Sequence, residues 1–343
     1  MCNIAAYVGT RPAAPILIEM IRRQEGFAGG YYTGLATVFE GRLHSAKKTG
    51  DLERLLQHTD AASLPGTVGI IHSRSDSGGV DSWAHPFLGG HGEDEIAYVA
   101  NGAAGPFRAR MREFGALADS LLDGGYTYTS IENFENPNYQ RLSNGMSVHM
   151  SDVMCQLILK HLDEGRGEAA AMAAAFEEMP GDVVGLLLAR RVPDSVFWSR
   201  INRPMMMARA PHGVYLATTA WAFPDDAGEA VAIPPNTAGR VTAEGMTVLP
   251  YAHPPIDVPP ITAQQREQAT EAVRAALLTG EKTVQELKRA VSPLFPDGGC
   301  SQCVMLTYEA LCAVAGALPV KQRTAYVVSA QTGLTAPKFY LSL

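Results

Sequence analysis

No run of this sequence approaches the ~20 apolar residues that a membrane-spanning helix requires; the longest, such as Val183–Ala189, fall far short. The opening, MCNIAAYVGTRPAAP, lacks a basic stretch followed by a long apolar one. It has the marks of neither a signal nor a transit peptide, so a cytoplasmic protein is expected. Cysteine is scarce. Five residues (Cys2, Cys155, Cys300, Cys303, Cys312) in a chain of 343 do not make a disulfide framework. Positive charge is in deficit: a formal net charge of −7 argues against nucleic acid and anionic membranes as partners. Internal repeats and low-complexity tracts are absent as well. What remains is 46% hydrophobic and 18% charged, a composition that builds a soluble globular core. The length suggests two domains, or one large domain with an appendage.

Short apolar runs between turn signals predict strands at Asn3–Val8, Leu35–Phe39, Val68–His72 and Ile96–Ala100. Helical spacing predicts a helix over Ala13–Glu25 that stops before Gly26. A second is expected over Pro106–Asp123, with Pro at its start and Gly124-Gly125 at its end. Tyr126–Ser147 is polar and Asn-rich and contains Pro137 and Asn144-Gly145, which predicts a long loop or hairpin. Ser151 or Asp152 could cap a helix reaching Leu162, and Glu168–Met179 reads as another. Val183–Val248 alternates short apolar segments with turns, a strand-rich half. Ala252–Thr262, AHPPIDVPPIT, reads as a stiff extended linker. Helices are predicted beyond it at Ala263–Leu278, Val284–Val291 and Ser301–Ala315, then two strands around a turn. The expected division is 2–251, a linker at 252–262, and a small unit at 263–343.

Cys2 holds the chemistry. Met1 is expected to be removed, because the second side chain is small. The α-amine of Cys2 would then stand a few ångströms from its own sulfur. With a pKa of about 7.7–8.0 against about 8.5 for the thiol, one residue supplies both base and nucleophile. A Cys in second position is by itself usually incidental. Here further blocks follow it: GGYYTGLAT (Gly29–Thr37), GIIHSRSDSGG (Gly69–Gly79), AHPF (Ala84–Phe87), IAYVANGAAGPFRAR (Ile96–Arg110) and MSDVMCQLI (Met150–Ile158). In order and spacing they resemble class II glutamine amidotransferases. That family opens Met-Cys-Gly-Ile-x-Gly-Tyr and carries Gly-His-Thr-Arg-Trp-Ala-Thr-His-Gly, a strand ending Asn-Gly, and a helix starting Thr-Asp-Thr-Glu. Within it, the pattern is most like the glutaminase domain of glucosamine-6-phosphate synthase.

The resemblance implies an α+β fold, the four-layer αββα sandwich of N-terminal nucleophile hydrolases. It implies that Cys2 attacks the side-chain amide of glutamine to form a γ-glutamyl thioester. Asn101 and Gly102 would form the oxyanion hole. Arg74 would grip the α-carboxylate, bidentately if its fork is free. Asp152 would take the α-ammonium, although an Asp at a helix start also caps for structural reasons. Ser77, at the family's Thr, could donate a hydrogen bond to the substrate. His85 is expected to be structural, since the α-amine already fills the base role. The chemistry needs no cofactor and no metal. Departures are also visible. The family's Trp after Arg is Ser75 and its second His is Gly78, changes expected to open the pocket wall or alter what it touches. The family's Arg and Asp around its Gly-Tyr segment are Ala28 and Tyr31.

Residues 263–343 are too few for a sugar-converting domain and hold no phosphate-cradling Gly loop. The ammonia acceptor is therefore expected on a separate synthase subunit, or not at all. Three helices and a hairpin resemble a winged-helix module. Eight Lys/Arg against seven Asp/Glu in residues 254–343 favour docking of a partner, or of a second copy as a homo-oligomer, over DNA. Cys300-x-x-Cys303 has only Cys312 as a nearby third ligand, and no His lies beyond His253, so a zinc site is not expected. Two other readings stay open: an N-terminal cysteine hydrolase of γ-glutamyl or other amides, and a non-catalytic glutamine-sensing or interaction protein.

Overall fold

A computed structural model describes residues 2–134, 136, 139–296 and 301–343. The removal of Met1, Pro137 in the Asn-rich segment and Cys300 of the Cys-x-x-Cys pair lie outside the described residues.

The chain begins β1 (Asn3–Gly9), α1 (Ala13–Ala28), β2 (Tyr32–Phe39), β3 (Arg42–Thr49), α2 (Leu52–His58) and β4 (Val68–Arg74). It continues with β5 (Phe87–Gly89), β6 (Ile96–Ala103), α3 (Met111–Asp123), the short β7 (Gln140–Arg141) and β8 (Ser147–Val148), α4 (Met150–Asp163) and α5 (Glu168–Glu178). The strand-rich half is β9 (Asp182–Ala189), β10 (Val196–Arg200), β11 (Met206–Ala210), β12 (Gly213–Ala217), β13 (Val231–Ala232), β14 (Thr237–Thr242) and β15 (Gly245–Pro250). Then come α6 (Ala263–Leu278), α7 (Val284–Val291), α8 (Gln302–Ala317), β16 (Lys321–Val328) and β17 (Thr335–Ser342).

Two antiparallel sheets form the middle, one ordered β13-β11-β12-β1-β4-β2-β3 and the other β15-β14-β10-β9-β6-β5. The period of two along each strand builds the layers. Ile4, Ala6 and Val8 of β1 face the second sheet, against Val99, Leu186 and Trp198. Ala5 and Tyr7 face outward, with Leu17 and Ile21 of α1. On the other sheet Tyr98 and Leu187 face Val153 and Leu157 of α4 and Phe176 of α5. Both sheets are thus covered on both sides. Central strands such as β9, which is buried along its whole length, therefore read as nearly unbroken apolar runs, here VVGLLLA after Asp182. This is the αββα sandwich that the motifs implied.

Some boundaries differ from expectation. Helix α1 continues through Gly26, because that glycine is a point of close approach: a Cβ there would lie 2.3 Å from the Phe339 ring. Helix α4 starts at Met150 and is capped by His149, whose Nδ1 accepts from Ser151 N–H at 3.1 Å. Ser151 and Asp152 therefore sit inside its first turn rather than at its cap. The helix expected from Pro106 opens as a 3-10 stretch over Gly105–Arg110 and becomes α-helical at Met111. Strand β3 was not evident beforehand, since RLHSAKKT is a polar strand at the sheet edge.

Residues 252–262 hold no helix or strand. Helices α6–α8 and β17 share a cluster of their own, including Val273, Leu277, Leu287, Leu306, Leu311 and Leu341, and Phe27 of α1 enters it. We propose a division of the chain at 252–262 on that ground. Among the described residues, no helix is long and apolar enough to cross a membrane.

Candidate active site

Strand pairing assembles the site. Strands β1 and β4 are antiparallel with Asn3 opposite Ser73, which puts Cys2 level with Arg74. His72 shares the Arg74 face of β4, diagonal to Cys2. The end of β6 arrives from the other sheet. His72 Nε2 donates to Ala100 O at 3.0 Å, and the Cys2 N–H donates to Asn101 Oδ1 at 3.1 Å. A cavity of about 240 Å³ opens here, lined by Cys2, Arg74, Ser77, Gly102, Tyr139 and Met179 among others.

Burial pushes the Cys2 thiol up, but the neighbouring His72 imidazole more than reverses this and brings it to about 5. The sulfur lies 3.7 Å from Ser75 Oγ. Asn101 is buried, and its Nδ2 has no partner among the described residues. The other atom of the same amide, Oδ1, holds the Cys2 nitrogen. At Gly102 a Cβ would stand 2.7 Å from Val183 Cβ and 2.9 Å from Asp182 O, so only glycine leaves this backbone as it is.

Arg74 is 1% exposed and stacks over the Tyr32 ring at 4.1 Å. Its Nε donates to Ser77 Oγ (3.1 Å), Nη1 to Trp83 O (2.8 Å), and Nη2 to Gly78 O and to Tyr139 OH (3.0 Å). Four of its five N–H groups are therefore occupied in this arrangement, by neutral acceptors. No carboxylate pairs with it among the described residues, so a buried cation awaits an anion.

Asp152 lies elsewhere. It is fully buried and does not line the cavity, although the adjacent Ser151 does. Its Oδ2 accepts from Thr129 N (2.8 Å), Thr129 Oγ1 (3.3 Å), Ser130 N (2.9 Å) and Ser130 Oγ (2.8 Å), while Oδ1 has no partner among the described residues. Burial pushes its carboxyl up against the pull of these hydrogen bonds and of Lys47. The structure thus gathers Cys2, Gly102, Arg74 and Ser77 around one cavity, ties Asn101 to it through the Cys2 nitrogen, and leaves Asp152 behind its wall.

Of the two positions expected to open the wall or alter what it touches, Ser75 lines the cavity, and the space at Gly78 is filled. Gly78 has φ +80°, and the Phe134 ring stands 2.2 Å from where its Cβ would be. Trp83 meets Tyr139 edge-on at 4.7 Å and His149 at 5.6 Å. Lys47 Nζ donates to Ala84 O (3.0 Å) and Pro86 O (3.2 Å), holding the segment behind this wall. His85 lines the cavity with its ring 3.9 Å from that of His72; burial, then the His72 and His149 charges, hold it well below the ordinary imidazole range, hence neutral. Sequence reasoning passed over His72, although GIIHSRS contains it, and Tyr139, for which the Asn-rich loop gave no signal. Cys303, the described member of the Cys-x-x-Cys pair, is buried with its thiol against Lys288 O, and no metal-holding group occurs among the described residues.

No family model matches the chain. Curated relatives do. The glutamine–fructose-6-phosphate aminotransferase (isomerizing) of Agrobacterium fabrum is 26% identical over 258 residues, covering 75% of this chain and 38% of the relative. Those of Rhizobium leguminosarum bv. viciae and Pyrococcus horikoshii are 29% and 25% identical, covering 65% and 72% of this chain and 32% and 37% of theirs. The chain thus spans under two fifths of the length of these relatives. Among solved structures, the glutamine phosphoribosylpyrophosphate amidotransferase of B. subtilis shares the fold, with TM-score 0.58 and 14% identity over 94% of this chain and 66% of that one. In sequence the chain is similar to glutamine–fructose-6-phosphate aminotransferases, and it shares its fold with a glutamine phosphoribosylpyrophosphate amidotransferase, as a class II glutamine amidotransferase would.

Proposed function

We propose that this relative of the class II glutamine amidotransferases hydrolyses the side-chain amide of glutamine through Cys2 and releases ammonia. One observation carries the reading. Asn101 fixes the Cys2 nitrogen with Oδ1 and keeps a buried Nδ2 without a partner among the described residues. Once Met1 is removed, that nitrogen is the α-amine, held next to the sulfur it must deprotonate.

Cys2 Sγ, whose proton has already passed to the α-amine, attacks the glutamine δ-carbonyl carbon as the thiolate. Asn101 Nδ2 and the Gly102 N–H receive the developing oxyanion. The C–N bond breaks, the amine returns the proton, and ammonia leaves. Water then cleaves the γ-glutamyl thioester and frees glutamate and the thiol. The balance is glutamine plus water to glutamate plus ammonia. His72 favours the thiolate throughout.

Arg74 binds the α-carboxylate in this reading. Trp83 O and Gly78 O hold the guanidinium, while the hydroxyls of Ser77 and Tyr139 are the partners a carboxylate can replace. Asp152 serves the α-ammonium through Oδ1, the oxygen its four hydrogen bonds leave open, once the wall at Ser151 admits it. Ammonia passes to an acceptor on another chain, or to water.

A second reading draws on Met150, Met154, Met179 and Val183, apolar side chains in the same cavity that an ammonia leaving group does not need. They suit a γ-glutamyl amide of an apolar amine, and a panel of amides assayed beside glutamine ranks the two. For the shared chemistry, the test is the intact mass after treatment with a glutamine-like electrophile. A chain without Met1 and with one adduct on Cys2 is expected. A chain that starts at Cys2 and stays unlabelled removes both readings.

A further inference from the structure

The turn joining β16 to β17 reaches the segment that follows Arg74. Ser329 is 3% exposed, and its hydroxyl donates to Asp76 Oδ2 at 2.9 Å. Ser329 Oγ also accepts from the N–H of Gln331 (3.1 Å) and of Thr332 (2.9 Å), so the turn is built around that hydroxyl. Further along the hairpin, Ala336 and Pro337 lie 3.0 and 2.9 Å from where a Cβ on Gly30 would stand. Phe339 presses on Gly26 and meets Phe27 edge-on at 5.2 Å. From the end of α1 to Asp76 the hairpin is one braced piece.

Asp76 is flanked by groups of the site. Ser75 Oγ lies 3.7 Å from Cys2 Sγ, Ser77 Oγ accepts from Arg74 Nε, and Gly78 O accepts from Arg74 Nη2. Whatever fixes Asp76 fixes all three. The resembled motif has Ala at this position, so the contact belongs to this chain rather than to the motif. Asp76 Oδ1 is buried without a partner among the described residues. Released from Ser329, this carboxylate stands two residues from a buried guanidinium that pairs with no carboxylate among the described residues. It would then compete with the substrate's carboxylate for the same cation.

We propose that the Ser329–Asp76 hydrogen bond is a positioning contact for substrate. The C-terminal hairpin holds the 75–78 segment in shape and keeps Asp76 turned away from Arg74, so that Arg74 stays available to a carboxylate. The proposal rests on the glutaminase reading and deepens it: the C-terminal unit sets glutamine affinity rather than turnover.

The test is steady-state kinetics of glutamine hydrolysis by the full chain. Ser329→Ala raises KM about tenfold, the scale of losing a hydrogen bond to a charged group, and leaves kcat within about twofold. Ser329→Thr, which keeps the hydroxyl, stays near wild type. Adding Asp76→Asn to Ser329→Ala returns KM toward wild type, because a neutral amide does not compete for Arg74. Amide hydrogen exchange supplies a readout independent of turnover: residues 75–82 exchange faster in Ser329→Ala, while β1 and β9 do not. Unchanged KM with unchanged exchange overturns the proposal. So does a fall in kcat that tracks a fall in melting temperature while KM holds, since that marks a merely structural contact. A wild-type chain with no glutaminase activity removes the substrate reading, and exchange then still reports whether the hairpin holds the segment.

Discussion

The Cys2 nitrogen donates to Asn101 Oδ1 across 3.1 Å and so ties the start of β1 in one sheet to the end of β6 in the other. The two sheets meet at Cys2, and the same side chain that fixes the nitrogen keeps a buried Nδ2 without a partner among the described residues, the donor proposed for the substrate oxygen. Asn101→Asp keeps an acceptor for the nitrogen and removes the donor. It is expected to lower kcat about 10²–10³-fold, the usual cost of one oxyanion donor, while leaving KM little changed. A loss below tenfold would place the oxyanion elsewhere.

Thiolate formation at Cys2 depends on His72. With the thiol near 5, iodoacetamide should alkylate Cys2 rapidly at mildly acid pH and show a midpoint there. In His72→Ala only burial remains as the large influence, and burial raises the thiol. The alkylation midpoint should then move above the ordinary thiol range. An identical profile in both proteins would show that the imidazole does not act on the sulfur.

Glu25 gives a stability signature. Burial, with the Asp51 charge adding to it, lifts its carboxyl from 4.5 to about 8, although the Ser73 and Thr33 hydroxyls and Leu52 N–H pull the other way. The folded chain keeps a proton here that the unfolded chain loses above 4.5. The stability this group contributes is therefore fully present below about 4.5 and is lost as pH rises toward about 8. Glu25→Gln keeps the oxygen that accepts from Thr33, Leu52 N–H and Ser73, and does not titrate. Its melting temperature should gain on wild type steadily between those two pH values. A constant difference across the window would mean that Glu25 is not protonated in the fold.

Gly78 tests the rebuilt wall. Restoring the resembled family's histidine there puts a side chain at φ +80° and into the Phe134 ring. Gly78→His should cost about 1–3 kcal/mol by its backbone strain alone, and it should raise KM, because Gly78 O holds Arg74. Denaturant unfolding and glutamine kinetics on one preparation check both. Gain of activity would show that the aromatic wall is not what fills the missing residue's place.

Much of this was legible in the chain because burial on both faces leaves a plain mark. β1, β4, β6 and β9 are covered by sheet on one side and helix on the other, and each reads as an apolar run. Cys2, Arg74, Ser77 and Gly102, which line one cavity, each sit in a recognisable block of the sequence, and strand pairing brings Cys2 and Arg74 level. Asp152 sits in such a block too, yet the hydrogen bonds that turn its Oδ2 toward residues 129 and 130 are long-range and leave no local pattern. Tyr139 and Ser329 were invisible for the same reason: each reaches the site from a segment whose own sequence says only loop or turn. Gly26 misled because a glycine in helical spacing can mark an end or a close neighbour, and here Phe339 is the neighbour.

The central claim is that a cysteine exposed by methionine removal turns glutamine into glutamate. The direct measurement is glutamate and ammonia release by protein shown by intact mass to begin at Cys2, with Cys2→Ala alongside. Equal amounts of both products from the first and none above background from the second are predicted. A chain beginning at Cys2 that releases no glutamate, or a Cys2→Ala variant that releases it undiminished, would contradict the account.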